Sequence, residues 1–93
     1  MQISRLSYIA QLEQHLDEAR KNEIEEKYLV PIILLIKSQK ESDDALVMCS
    51  NGDCEREGYY APVDGNGNID FKRVRRFREE EPFPEGGDWI QTS

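Results

Sequence analysis

Cys49 and Cys54 flank an Asn51-Gly52 pair, and two thiols at this spacing could form a labile disulfide or supply half of a metal site. Asn-Gly suits a two-residue type I′ hairpin turn, in which both central residues need a positive φ. In that register Ser50 faces Asp53, and Cys49 faces Cys54 in a non-hydrogen-bonded pair. The Cα atoms of such a pair lie ~4.5 Å apart, the short limit for a disulfide. With only two cysteines the chain is not a secreted disulfide scaffold, and the expectation is two reduced thiols. A closed zinc site takes four ligands, and beyond the thiols the sequence offers only the distant His15, so no metal or cofactor is expected. His15 is the single histidine, no serine lies in a nucleophile elbow, and no glycine-rich loop suits a phosphate. The carboxylates stand in solvated runs with no apolar neighbours to raise a pKa. These features predict a protein that is not an enzyme.

Asp64-Gly65-Asn66-Gly67-Asn68-Ile69-Asp70-Phe71 resembles the middle and end of an EF-hand calcium loop. In that alignment the first ligand position falls on Pro62 and the twelfth on Arg73, where the family needs a carboxylate and a bidentate glutamate. A tight turn accounts for the same residues, and that is the reading taken.

Two charged regions compete for a functional role. Lys72, Arg73, Arg75, Arg76 and Arg78 form a basic run with Phe77 among them, a pattern that can meet phosphates. The same bases could instead pair with Glu79, Glu80 and Glu81, or guard an exposed strand edge. Against them stands the whole chain, with 19 acidic and 12 basic side chains and a formal charge of −7. That field repels nucleic acid and anionic membranes and favours basic partners. Asp17, Glu18, Glu25 and Glu26 are therefore the first candidates for a partner-binding patch, with Tyr59, Tyr60 and Trp89 as aromatic anchors. Adding Asp43 and Asp44 gives a set that could stand in for the phosphates of DNA.

The elements that would carry these residues follow from hydrophobic spacing. Leu6, Ile9, Leu12, Leu16 and Ala19 recur at helical steps behind Ser4, a good N-cap, and no glycine or proline interrupts the chain before Pro31. One long amphipathic helix over 4–26 is predicted. Residues 28–36 are continuously apolar and rich in β-branched side chains, which reads as a buried strand, with a helix starting at Pro31 as the alternative. At nine residues the run falls short of the ~20 needed to span a membrane, and a cytoplasmic protein is expected. Two turns, at Asn51-Gly52 and Asp64–Gly67, predict successive hairpins. Residues 71–78 read as a strand, or as a helix capped by Asp70.

The expected fold is α+β: the long N-terminal helix on a three- or four-stranded, mostly antiparallel sheet, as one domain over 1–78. Residues 79–93, acidic and rich in proline and glycine, are expected to form an extended tail without regular structure. The helix begun by Ile3-Ser4-Arg5-Leu6, followed by a segment entered through Val30-Pro31, resembles small α+β proteins encoded by bacteriophages. That resemblance implies an accessory protein acting by binding. The expected function is a non-catalytic inhibitor or adaptor that presents an acidic surface to a basic protein. A nucleic-acid factor using Lys72–Arg78 is the alternative, and a homodimer is as consistent with the apolar run as a monomer.

Overall fold

The computed structural model describes all residues from Met1 to Ser93. The chain is α+β, with strands β1 (Gln2–Ser4), β2 (Leu46–Met48), β3 (Gly58–Val63), β4 (Arg75–Phe77) and β5 (Asp88–Gln91) and helices α1 (Arg5–Lys21) and α2 (Glu26–Lys40). β1 and β2 form a two-stranded sheet, and the other three strands a second sheet in the order β4-β3-β5. Two compact units result: Ser4–Val47, which is helical, and Met1–Ile3 with Met48–Ser93, which carries the three-stranded sheet.

In the helical unit, Ser4 caps α1 as expected, its Oγ accepting from the Ser7 N–H at 3.4 Å. The buried stripe is Tyr8, Leu12 and Leu16, and Leu6 is left in water. The helix does not run on to residue 26. Asn22 is its C-cap, Glu23 takes a left-handed φ of 60°, and the last carbonyls are closed by Ile24 N–H to Ala19 (3.0 Å) and Glu23 N–H to Arg20 (3.1 Å). This is a Schellman stop with glutamate where glycine is usual, which explains why the sequence carries no visible terminator.

The second correction concerns 28–36, which is helix and not strand. α2 buries Leu29, Ile32 and Ile36, spaced as one helical face. Pro31 sits inside it and is exposed, so the Lys27 carbonyl lacks its usual N–H partner one turn on. Arg5 ties the end of the unit to the start of α1, its guanidinium donating to the Gln39 side chain and to the carbonyls of Asp44 (2.5 Å) and Leu46 (3.4 Å).

In the other unit, the Asn51-Gly52 segment does not fold back on itself, although Gly52 has the positive φ that was expected. It bridges to two C-terminal stretches, Ser50 to Trp89 and Asp53 to Pro82. The cysteines therefore do not face each other across a hairpin, and both are buried free thiols. The Asp64–Gly67 turn does form: the Asp64 carboxylate accepts the N–H groups of Asn68 (2.9 Å) and Asn66 (2.8 Å), and these bonds, Asn68 first, hold its pKa below the usual carboxylate value. Residues 71–73 make one 3-10 turn capped by Asp70, and only 75–77 are strand. The expectation of an unstructured tail fails at β5, which pairs along β3 from Tyr60↔Gln91 to Val63↔Asp88.

Packing explains why the last residues are held. Cys54, Tyr60, Phe77, Phe83 and Trp89 form the core of this unit. Most of the rings meet at edges and tilts, with centroids 4.6 Å apart for Phe77–Phe83 and 5.2 Å for Phe77–Trp89, while Phe83 and Trp89 stack at 6.2 Å. The Tyr60 hydroxyl donates to the Arg56 carbonyl at 2.7 Å, and its pKa is pushed up to about 12, first by burial and then by its neighbour Cys54.

Candidate functional site

The sequence nominated surface groups of three kinds, and the fold treats them differently. Of the aromatic anchors, only Tyr59 is exposed. Tyr60 and Trp89, 5% and 4% exposed, are core residues, so they are corrected from partner contacts to structural ones.

The basic run is dispersed. Arg75 and Arg76 are successive strand residues and point to opposite faces of the sheet. Arg75 lies over the Phe77 ring at 4.9 Å, while Arg76 pairs with Glu57. Arg73 lines an open cleft of about 530 Å³ together with Asp64, Asp70 and Glu85. The Arg78 backbone N–H is bound by the Glu81 carboxylate at 3.0 Å. Lys72 is exposed on the 3-10 turn, its N–H held by Asp70 at 3.1 Å. No single face gathers the five bases.

The acidic set divides along the helical hairpin. Glu25 and Glu26 stand at the α1–α2 turn, whereas Asp43 and Asp44 follow the far end of α2 near Arg5. A helix as long as α2 separates the two pairs by ~20 Å. Two of these acids have cations beside them, Glu26 with Arg20 at 3.0 Å and Glu25 with Lys27 at 3.3 Å. Such exposed pairs contribute little to stability, but they lower the negative potential locally. Glu18 is exposed and lies close enough to influence His15.

Asp17 stands in a different setting. It lines a groove of about 290 Å³ between the helices, with Glu13, Leu16 and Arg20 from α1 and Ile33, Ile36 and Lys40 from α2. Leu16, Ile33 and Ile36 give the groove an apolar lining. On the rim Lys40 is paired with Glu13 at 2.7 Å and Arg20 with Glu26, and Asp17 takes part in no ion pair. A shallow groove with a narrow aliphatic floor, a rim of charged side chains and one unneutralised carboxylate among them can seat an aliphatic side chain next to a lysine or arginine. Asp17 was visible in the sequence, but the groove was not, because Ile33 and Ile36 of its lining come from the segment that read as a strand.

A second feature lies on α2, where the sequence showed only a continuous apolar run over 28–36. α2 is apolar on the side facing away from its buried stripe as well, with Tyr28 63%, Leu34 59% and Val30 45% exposed. No group of histidine, cysteine and acidic side chains is arranged to hold a metal ion. No helix is long and apolar enough to cross a membrane. Comparison with known protein families, characterised proteins and solved structures finds no match for this chain.

Proposed function

We propose that this chain is a non-catalytic protein-binding module whose helical hairpin takes up a basic amphipathic segment of another protein. The observation that carries this reading is Asp17, an unpaired carboxylate on the lip of a groove lined by Leu16, Ile33 and Ile36. Desolvation of the aliphatic contacts supplies affinity, and the carboxylate selects a partner with a lysine or arginine beside its apolar residues. The net charge of −7 works in the same direction, raising the encounter rate with a basic protein in a way that salt weakens. Tyr59 is the aromatic group that remains available as a contact in the other unit.

The test is affinity capture of the full chain from a nuclease-treated lysate, with two variants run beside it. Asp17→Lys should lose the captured protein, and the triple change Arg73→Glu, Arg75→Glu, Arg76→Glu should keep it. Capture of nucleic acid from untreated lysate, lost in the triple variant and kept in Asp17→Lys, would replace this reading with the nucleic-acid one.

A further inference from the structure

A helix that buries one stripe is normally polar on the other side, and α2 is not. Val30, Pro31 and Leu34 form one exposed stripe, extended by Lys27 and Ser38 at helical spacing, on the side opposite Leu29, Ile32 and Ile36. Tyr28 lies beside it with Lys27 over its ring at 5.1 Å. The α1–α2 groove uses Ile33, Ile36 and Lys40, so the apolar residues of the two surfaces are different, and the surfaces adjoin only at Glu26, which pairs with Arg20 on the groove's rim. It is a second apolar face, and its flanking charges indicate what covers it.

Glu26 and Lys37 are about three turns apart, so both lie along the same edge of the stripe, one at each end. When two copies of a helix pack face to face about a two-fold axis, running antiparallel, like edges meet in reverse order. Glu26 of each copy, whose carboxylate has Arg20 at 3.0 Å within its own chain, then also faces Lys37 of the other, Pro31 and Leu34 meet near the middle, and the helix dipoles oppose favourably. A parallel pairing would set Glu26 against the opposite edge, where Tyr28, Leu35 and Gln39 carry no charge. We infer that the exposed Val30–Pro31–Leu34 stripe of α2 is a self-association surface, on which a second copy of this chain docks its own α2 antiparallel.

One helix face is small beside the ~1,200 Å² below which assemblies are usually weak and transient, so the dimer forms in the micromolar range or above. Sedimentation velocity of the full chain from about 1 µM to 1 mM covers that range. A concentration-dependent shift from monomer to dimer is expected, and a chain that stays monomeric to the top of the range overturns the proposal. Leu34→Lys should raise the dissociation constant about tenfold or more, with the circular dichroism spectrum unchanged. A dimer indifferent to Leu34→Lys places the contact elsewhere and also overturns it. Glu26→Lys alone should weaken the dimer, and Glu26→Lys with Lys37→Glu should restore it. Failure of the double exchange to restore association rules out the antiparallel arrangement. Asp17→Lys, which tests the groove, should leave the dimer unchanged, so the two readings fail separately.

Discussion

In the β unit, Tyr60, Phe77, Phe83 and Trp89 turn inward onto one another and onto Cys54. In the helical unit, Tyr28, Val30 and Leu34 point outward into water. Both units bury a core and both expose some apolar side chains, Met48, Tyr59 and Val74 in the β unit among them, but only α2 lines up several exposed ones along a single helix. An aromatic core closed on itself gives stability and offers a partner little. A two-helix hairpin with a lined groove on one side and an apolar stripe on the other is under-covered, and contiguous exposed apolar surface in a small protein marks interaction. The lesson concerns where aromatic residues are placed. Trp89 and Tyr60 are the residue types that dominate interfaces, yet here they hold the sheet together, and the exposed apolar surface of α2 that we propose for contact is mostly aliphatic, with Tyr28 beside it.

The largest effect that could break this contrast is in the β core. Trp89→Ala should lose about 3–5 kcal/mol, because it removes a buried ring from a cluster with no slack. Thermal or urea unfolding monitored by near-ultraviolet circular dichroism reads the loss. Tyr59→Ala, at an exposed position of the neighbouring strand β3, should stay within about 1 kcal/mol of the parent. Equal effects at the two positions would mean that the core is not closed in the way described.

Pro31→Ala should act in the opposite direction. It restores a donor for the Lys27 carbonyl and removes ring crowding in α2, so stability should rise by about 1–3 kcal/mol. A fall would show that the helix needs its proline. Glu23→Gly should add a smaller increment, about 0.5–1 kcal/mol, by placing glycine at the left-handed position that ends α1. The same unfolding curves read both.

The smallest effect is a dependence on pH. Burial holds the His15 imidazole below its ordinary value of 6.5, against an opposing pull from Glu18. The unfolded chain therefore binds this proton at a higher pH than the folded one. Its contribution is complete above about pH 6.5 and is lost as the pH falls through that value towards the folded pKa. The midpoint of unfolding should drop over that window, and His15→Gln should flatten the drop. An unchanged slope in the variant would assign the effect to other groups.

Parts of this arrangement were legible in the sequence because they are local. The Ser4 cap, the stripe through Leu12 and Leu16, and the Asp64–Gly67 turn each depend on a few neighbouring residues. The α+β class was legible for the same reason. Residues 28–36 were not, because a segment apolar on every side has no period, and only tertiary packing decides between strand and helix. The α1 stop was hidden because Glu23 fills a position that usually announces itself as glycine. The Asn51-Gly52 hairpin failed for a non-local reason. Its flanks found partners at Trp89 and Pro82, far along the chain in a stretch that composition marked as a tail. The candidate site followed the same rule: Asp17 was readable as an exposed acid, and its groove required α2 to be a helix.

The most direct test of the central claim, that contact is made by the helical unit, is a titration of the isotopically labelled full chain with a synthetic lysine-leucine amphipathic peptide, followed by two-dimensional NMR. The account predicts progressive shifts at Leu16, Asp17, Ile33 and Ile36, reduced in Asp17→Lys, with the amides of Phe77, Phe83 and Trp89 unmoved. Shifts confined to the cleft around Asp64, Asp70 and Arg73, or no shifts at any concentration, would contradict it.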